Sequence, residues 1–270
     1  MRAVLLGTGT PNCEPQKMGS SIAVSEGDSL LVVDAGPGVV RRLAEADLDL
    51  AKTTECLLTH LHSDHTAGLP DLFLSPVVLG RNKPLHLYGP PGTAQLGNGI
   101  LSAYQADISE RTEGLEPGDG SGYQMVTTEV NPGWSGRFGE MTATAFKANH
   151  GRWPALGYRI ESQGKTVVLS GDTAPFDGIE EAYKGADVLI HEVYSNEGFD
   201  SRPEEWKRYH EACHTSTKQL AAIANVVKPI LLVLTHQLYW GVSDEQLVEE
   251  IRQGYDGEIV SGYDLAAFDI

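Results

Sequence analysis

The sequence reads Thr59-His60-Leu61-His62-Ser63-Asp64-His65 directly after the apolar run Cys56-Leu57-Leu58. Three imidazoles and one carboxylate thus fall within six residues, a density that exceeds what folding requires. Imidazole and carboxylate are common zinc ligands. A tight loop at the end of a strand lets His60 and His62 point towards one metal ion, while Asp64 and His65, one step further along, can serve a second. The stretch predicts a metal-binding loop.

Four other apolar runs also end directly at polar side chains. Polar residues at strand ends converge on one rim of an α/β sheet, which is where such folds place active sites. We therefore expect these side chains to meet the metal loop. Residues 31–33 precede Asp34, residues 167–169 precede the turn with Asp172, residues 188–190 precede His191 and Glu192, and residues 232–234 precede Thr235 and His236.

Short aliphatic runs alternate with helical patterns along the rest of the chain, and these patterns predict strands and helices. Ser243 and Gln246 form a capping box that marks one helix start. The predicted strands are 3–6, 21–24, 29–33, 55–58, 84–88, 141–148, 155–161, 166–169, 187–190 and 230–234, and the predicted helices are 38–46, 92–104, 178–184, 216–226 and 243–253.

Residues 95–138 differ from the rest because they hold many Gly, Glu and Asp residues, with a loop pattern at 117–122. We interpret them as a short cap or lid insertion over the site; an ordinary surface excursion is the alternative. The 270-residue chain shows no internal repeat and no low-complexity linker. Residues 1–270 are therefore predicted to form one domain that contains the insertion.

The formal net charge of −17 bears on the partner. A field of that sign repels phosphate backbones at long range, and nucleic-acid binding usually needs a basic face. Two bound divalent cations would offset about four of these charges. The charge disfavours a large nucleic-acid substrate without excluding it, because a local basic patch can exist on an acidic protein.

The chain has no apolar run near the roughly 18 residues that span a bilayer, so no membrane partner is expected. Residues 1–7 are too short for a signal-peptide core and predict a first strand. The three cysteines, Cys13, Cys56 and Cys213, are widely spaced and do not suit a disulfide framework. These features predict a cytoplasmic protein.

Residues 60–65 match the H-x-H-x-D-H motif of the metallo-β-lactamase superfamily, and the chain resembles that superfamily over almost its whole length. Asp34 resembles the first motif, His150 the third, Asp172 the fourth and His236 the fifth, in the family's order. The resemblance implies an α+β fold, the four-layer αββα sandwich, with the site at one end of the paired sheets.

The family's ligand roles, carried over position by position, imply two divalent metal ions. Zinc is the preferred metal, with manganese or iron as alternatives, and the two ions would share the attacking hydroxide. Asp34 would support the metal loop, and Asp64 would accept or orient the proton of the water. The first site would comprise His60, His62, His150 and Asp172, and the second Asp64, His65, Asp172 and His236.

Two further residues lie in segments that resemble those of the ribonuclease Z-like branch of the superfamily. Glu192 follows a strand, and His214 opens a His-Thr-Ser-Thr segment at a helix start. In that branch such a pair acts in proton transfer near the leaving group. The carboxylate would raise the pKa of His214 and orient its ring. The implied catalytic residues are Asp64, Glu192 and His214, whereas His191 is interpreted as structural.

The branch contains tRNA 3′-processing enzymes and also hydrolases of compact anionic esters. The former carry a basic arm that grips RNA, and this acidic sequence shows no such arm. We therefore expect a two-metal hydrolase of a small anionic ester, either an aryl sulfate or a phosphodiester, that forms a homodimer like its relatives. A pocket for an aryl group would be lined by Trp153, Tyr158, Tyr239 and Trp240.

Three alternatives remain. A tRNA 3′-processing endonuclease, ribonuclease Z, is the first, and a lactonase or β-lactamase is the second. A non-catalytic metal-binding protein is the third, although structural zinc sites are usually closed and rich in thiolate. Residues 210–214 also match H-E-x-x-H, a zinc-protease signature that needs one continuous helix. Ser216 looks like a fresh helix start, so the sequence disfavours a protease.

Overall fold

The apolar runs form two seven-stranded sheets. A computed structural model of the chain describes residues 1–115 and 120–270; residues 116–119, most of which belong to the predicted loop at 117–122, lie outside the described part. All ten predicted strands are present. The strands are β1 (Arg2–Gly7), β2 (Ser21–Glu26), β3 (Ser29–Val33), β4 (Glu55–Leu57), β5 (Leu85–Gly89), β6 (Met125–Glu129), β7 (Ser135–Phe138), β8 (Met141–Lys147), β9 (Leu156–Ser162), β10 (Lys165–Leu169), β11 (Val188–Tyr194), β12 (Leu231–Leu238), β13 (Ile259–Ser261) and β14 (Ala267–Asp269).

Each sheet combines an antiparallel half with a parallel half. The first sheet has the order β14-β1-β2-β3-β4-β5-β6, and the second has the order β13-β12-β11-β10-β9-β8-β7. Strands β3 to β6 run parallel in the first sheet, as do β10 to β13 in the second. Parallel neighbours end at the same edge of a sheet, so the polar residues that follow these strands are brought together.

The inner faces of the two sheets bury a shared apolar core. Alternate residues of a strand point to the same face. Leu5 and Val33 of the first sheet lie in one cluster with Ile160 and Leu169 of the second. Fully burying a side chain of this size is worth about 1.5–3 kcal/mol. The strands that carry the candidate ligands are therefore held in a rigid double sheet.

Helices cover the outer face of each sheet. Side chains of α1, α3 and α4 form an apolar cluster on the first sheet, and those of α6, α9 and α10 form another on the second. The predicted four-layer αββα sandwich, an α+β fold, is confirmed. The helices are α1 (Val39–Glu45), α2 (Ser63–Thr66), α3 (Leu69–Val78), α4 (Thr93–Ala103), α5 (Gln105–Glu113), α6 (Ile179–Tyr183), α7 (Asn196–Asp200), α8 (Glu204–Cys213), α9 (Thr217–Val227) and α10 (Asp244–Arg252). Within residues 1–115 and 120–270, no helix has the length and apolar character needed to cross a bilayer.

The segment 95–138 supplies an edge strand to each sheet. Strand β6 pairs with β5 in the first sheet, and β7 pairs with β8 in the second. The buried guanidinium of Arg81 donates hydrogen bonds of 3.1 Å each to the carbonyls of Leu72 and Gly122, which ties the segment to α3. A lid function of 95–138, within a single domain 1–270, stays a prediction.

Two glycines, Gly36 and Gly68, allow the metal loop to pack against the neighbouring backbone. A Cβ atom on Gly36 would lie 2.3 Å from the carbonyl oxygen of Asp64 and 2.3 Å from the carbonyl carbon of Gly19. One on Gly68 would lie 2.1 Å from the carbonyl oxygen of Gly36. The obstructing atoms belong to the backbone and cannot rotate away. The position of Asp64 therefore depends on the absence of side chains at these glycines.

We expect Gly36→Ala to destabilise the protein by about 1–3 kcal/mol, the usual cost of overpacking. The variant should also retain fewer metal ions per chain, because it displaces the backbone of Asp64. Thermal unfolding and elemental analysis measure the two effects. Gly99→Ala is the control, since a Cβ atom there meets nothing within 4 Å and alanine favours a helix. Equal stability of the two variants would contradict the packing argument.

Candidate metal centre

The predicted metal loop leaves β4 and turns directly into a short helix. Helix α2 begins at Ser63, and His62 is its N-cap in an extended conformation with φ −66° and ψ 152°. His60 and His62 therefore lie on the extended segment, while Asp64 and His65 lie in the first helical turn. The turn directs the two pairs of side chains to different points, as the sequence predicts.

Three imidazoles meet nitrogen to nitrogen. Nδ1 of His62 lies 3.1 Å from Nε2 of His60 and 3.2 Å from Nε2 of His150. Two nitrogens bound to one tetrahedral zinc ion lie about 3.3 Å apart, since Zn–N bonds are about 2.0–2.1 Å long. The spacing fits three nitrogens around one cation.

Hydrogen bonds to the opposite ring nitrogens fix which atoms carry protons. Nδ1 of His150 donates to the carbonyl of Cys213 at 2.9 Å. The Thr59 hydroxyl donates to the carboxylate of Asp34 at 2.8 Å and accepts from Nδ1 of His60 at 3.0 Å. Neutral rings of His60 and His150 then have no proton on Nε2. Among the three facing nitrogens, only Nδ1 of His62 can then carry a proton. Hydrogen bonds therefore cannot satisfy all three nitrogens.

A second group surrounds the carboxylate of Asp172. Nε2 of His236 lies 3.2 Å from Oδ2 of Asp64 and 3.4 Å from Oδ2 of Asp172. Nε2 of His65 lies 3.4 Å from Oδ2 of Asp64 and 3.5 Å from Oδ1 of Asp172. Oδ2 of Asp172 is also 3.9 Å from Nε2 of His60 in the first group. The carboxylate of Asp172 therefore lies between the two groups.

His236 reaches the second group from a β-bulge. The pairing of β11 with β12 matches Glu192 to Thr235 and then Val193 to Gln237, which leaves His236 unpaired. Its φ of 46° lies in the left-handed region. A bulge re-aims the side chain it carries, and strained backbone of this kind occurs at functional sites.

The chemistry of the two groups fits bound cations. Oδ1 of Asp64 and Nε2 of His65 are buried and have no hydrogen-bond partner among the described residues, which is costly unless a ligand completes them. Burial and the neighbouring His65 hold the pKa of His60 well below its usual value. Although burial opposes it, His236 and His65 hold the pKa of Asp172 well below its usual value. Neutral imidazole and ionised carboxylate are the forms that bind metals. Against the effect of burial, Asp172 raises the pKa of His65 and of His236, so a cation at the second group has to displace their protons.

Comparisons with known proteins agree with this geometry. A family profile described as "Beta-lactamase superfamily domain" matches residues 30–237. Proteins named Ribonuclease Z from Mycobacterium bovis and Mycobacterium avium are 35% and 33% identical, over 87% and 98% of this chain and 85% and 96% of theirs. Among solved structures, the metallo-β-lactamase fold protein YhfI from Bacillus subtilis has a TM-score of 0.76 at 22% identity, with 99% of this chain and 98% of its own covered. The short form of human tRNase Z has a TM-score of 0.73 at 23% identity, with 100% and 99% covered.

The chain belongs to the metallo-β-lactamase superfamily. Its identity with the mycobacterial proteins assigns it to the ribonuclease Z-like branch, as the motifs of the sequence indicate. The fold of the superfamily implies divalent metal binding, and the two groups contain every residue predicted as a ligand. The individual ligand roles stay predictions.

Asp34, the first motif of the superfamily, connects the metal loop to β3. Its carboxylate accepts hydrogen bonds from the Thr59 backbone N–H at 2.7 Å, the Thr59 hydroxyl at 2.8 Å and Nδ1 of His65 at 2.8 Å. The last of these bonds directs Nε2 of His65 towards Asp172. Asp34 thus orients ligands of both groups without contacting the space between them.

Glu192 and His214 meet beside the two groups, as predicted. Oε1 of Glu192 lies 3.3 Å from Nδ1 of His214, although that nitrogen forms no aligned hydrogen bond in this conformation. The expectation that Glu192 raises the pKa of His214 is wrong, because burial lowers it to about 4. Burial also raises the pKa of Glu192 well above its usual value. The surroundings therefore favour the neutral form of both groups. The predicted structural residue His191 lies against the Tyr183 hydroxyl, 3.1 Å away.

A cleft of about 690 Å³ opens above the two groups, and its walls only partly match the predicted aryl pocket. Trp153 and Trp240 line it, and the Trp153 ring lies 4.6 Å from that of His62. Tyr158 does not line it, because Tyr158 is fully buried and donates its hydroxyl to a backbone carbonyl. Tyr239 lines a neighbouring cleft instead. The lining residues that the sequence did not predict include Arg202, Trp206, Tyr209 and His210.

One pattern in the sequence could have identified three of them. Trp206, Tyr209 and His210 are ring-bearing residues on an otherwise charged helix that ends directly before His214. That helix also settles the H-E-x-x-H match. Helix α8 ends at Cys213, and His214 is extended with φ −136° and ψ 164°, while Ser216 caps the next helix. The fresh helix start predicted at Ser216 is confirmed.

We expect Asp34→Asn to weaken metal binding by about 10–100-fold, the usual effect of removing a group that orients a ligand. An amide cannot accept all three hydrogen bonds, so the His65 ring loses its fixed orientation. Asparagine tolerates the φ of 61° found at this position, so the fold should be retained. Competition with a chelator measures the affinity. Asp28→Asn, which changes an exposed partner of Lys52, should leave it unaltered. An unchanged affinity in Asp34→Asn would contradict the proposed orienting role.

Proposed function

We propose that this chain is a metal-dependent endonuclease that processes the 3′ ends of precursor tRNA. The observation that carries the proposal is the carboxylate of Asp172 between two groups of buried metal-binding side chains at the floor of an open cleft. It is supported by 33–35% identity, over most of both chains, to proteins named Ribonuclease Z.

The expectation of a small anionic ester as substrate is wrong, since the relatives found at this identity are named as a ribonuclease. The ranking of nucleic acid as a disfavoured partner is wrong for the same reason. Net charge sums over the whole surface, whereas RNA binding depends on the groups around the site. Arg202 in the wall of the cleft is such a group.

The proposed metal sites follow the two groups of side chains. We assign His60, His62 and His150 to one ion, Asp64, His65 and His236 to the other, and Asp172 to both. Zinc is the proposed metal because the donors are imidazole and carboxylate, with manganese or iron as alternatives. Such a pair of ions supplies Lewis acidity to a phosphodiester and activates a water molecule at neutral pH.

The chain's own residues manage the protons. Asp64 has one buried oxygen, Oδ1, without a hydrogen-bond partner among the described residues, and we assign it to accept the proton of the attacking water. Glu192 and His214 serve the leaving oxygen. Nε2 of protonated His214 donates its proton to that oxygen, and the ring becomes neutral. Oε1 of Glu192, which accepts the backbone N–H groups of Thr173 and Thr215, lies 3.3 Å from Nδ1 and orients the ring. This proton relay ends with a neutral His214 ring, the form that its burial favours.

We expect the metal-loaded protein to cleave a precursor tRNA at its 3′ end. Asp64→Ala should slow the cleavage by about 10²–10⁴-fold, the usual contribution of a positioned proton acceptor. Gel analysis of labelled precursor measures the rate, and circular dichroism checks the fold. The exposed Asp28→Ala is the matched control. A fully metal-loaded wild-type protein that leaves the precursor intact would contradict the proposed function.

His214→Ala tests the proton relay separately. The variant should cleave the natural precursor about 10²-fold more slowly, because the leaving oxygen departs without a proton. A precursor whose leaving oxygen is replaced by sulfur should lose much less rate, since a thiolate needs no proton to leave. His86→Ala, on β5 and outside the cleft, is the control. Equal losses on both substrates would rule out the relay.

Two predictions from the sequence are retained as part of the proposal. A homodimer follows from the family resemblance, and a cytoplasmic location suits an enzyme of tRNA maturation. Light scattering on the purified protein measures the first, and fractionation of cells measures the second.

A further inference from the structure

Exposed aromatic side chains collect at the cleft. Among the described residues, the exposed aromatic residues are Tyr104, Trp153, Trp206, Tyr209 and Tyr263. Three of these five, Trp153, Trp206 and Tyr209, line the cleft above the metal groups. Aromatic surface left in water at one place indicates a binding surface, because burying it against a ligand is favourable.

Trp206 and Tyr209 form an aromatic surface on one face of α8, and other rings pack behind it. They lie three positions apart on the helix, so their side chains are neighbours. The Trp206 ring stacks on the His210 ring with centroids 5.8 Å apart and an interplanar angle of 26°. His210 in turn packs against Trp240 at 4.5 Å. Trp206 is therefore backed on one side by His210, yet it is 47% exposed.

Arg202 adds an unpaired cation to this surface. Its guanidinium carbon lies 6.0 Å from the Trp206 ring and 5.4 Å from the Trp240 ring. Its Nε is buried without a hydrogen-bond partner, and no carboxylate of residues 1–115 or 120–270 pairs with it. Acidic residues outnumber basic ones by 37 to 20 in this chain, so an arginine left without one is positioned for an external anion. The planar guanidinium is suited to phosphate.

The same helix is joined to the reaction centre. Cys213, the last residue of α8, accepts the hydrogen bond from Nδ1 of His150, and His214 follows directly. The Tyr209 ring lies 6.0 Å from the His214 ring. A group that rests on α8 is consequently beside the bond whose cleavage His214 assists.

We propose that Arg202, Trp206 and Tyr209 bind one unpaired nucleotide next to the scissile phosphate of the RNA. Arg202 binds the phosphate of that nucleotide, and the aromatic rings stack with its base. This inference rests on the proposed function and adds to it the part of the substrate that the cleft receives. The surface accepts any base, because stacking depends on the flat face that all bases share. A protein partner would leave the cation without a phosphate to bind.

The test compares precursor tRNAs that carry either a base or an abasic sugar at the nucleotides flanking the cleavage position. Trp206→Ala should raise KM for the base-bearing RNA about tenfold, equivalent to about 1.4 kcal/mol, and should leave kcat within about twofold. It should change KM for the abasic RNA by less than about twofold, because no base remains to stack. Tyr263→Ala, an exposed aromatic residue outside the cleft, is the control. An unchanged KM, or an equal rise with both RNAs, would overturn the stacking role.

Arg202 is tested by the dependence of KM on salt. Arg202→Gln should raise KM about tenfold and reduce the slope of log KM against log salt by roughly 0.7, since single-stranded RNA releases about that many counterions per phosphate contact. Arg202→Lys retains the charge and should retain the slope. A slope that Arg202→Gln leaves unchanged would exclude the phosphate contact.

Binding distinguishes failure of this inference from failure of the proposed function. If the wild-type protein does not cleave precursor tRNA, tryptophan fluorescence still reports binding of a short single-stranded oligoribonucleotide. Two results would support the nucleotide surface: Trp206→Ala weakens the quenching, and an abasic oligonucleotide produces none. The absence of such quenching in the wild-type protein would overturn it, even if precursor tRNA is cleaved.

Discussion

Seven clustered imidazole and carboxylate side chains, all buried except the half-buried His62, have too few protons and too much concentrated charge to satisfy one another. Three imidazole nitrogens face each other around Nδ1 of His62 at 3.1–3.2 Å, and the Asp172 carboxylate lies among further imidazoles at 3.4–3.9 Å. Only added cations complete such an arrangement, and the surrounding structure maintains it. The carbonyl of Cys213 and the carboxylate of Asp34 hold the distal ring nitrogens, and Gly36 lets the loop approach closely enough for this to happen.

The sequence predicted those parts of the fold whose local pattern coincides with their tertiary environment. Ten strands and five helices were placed because apolar periodicity alone determines them. Helix α3 was missed because it contains Pro70 and Pro76, and its apolar residues follow the metal loop without a clear boundary. The short edge strands β6, β7, β13 and β14 were missed because pairing with distant partners, rather than composition, makes them strands.

In the site, the sequence predicted the candidate metal ligands better than the residues that line the cleft. Metal ligands must be particular residue types in a fixed order, so His150 and His236 could be assigned although they lie far from the loop in sequence. Pocket residues carry no such constraint. Tyr158 was assigned to the cleft, yet the strand alternation in β9 buries its ring, and its hydroxyl donates to a backbone carbonyl. Neither the bulge at His236 nor the fall in the pKa of His214 could be read from sequence, because both arise from packing between distant segments.

The net charge of the whole chain led to a wrong ranking of nucleic acid as a partner, because binding depends on the charged groups around the cleft. The value of −17 is a sum over 270 residues, and a Debye length of about 8 Å at physiological ionic strength screens most of it from any one cleft. Under the proposed function, a polyanion at the cleft would instead meet Arg202 and the metal ions. An unpaired RNA end in the cleft would then gain these local cations, while the rest of the polymer would stay beyond the screened field.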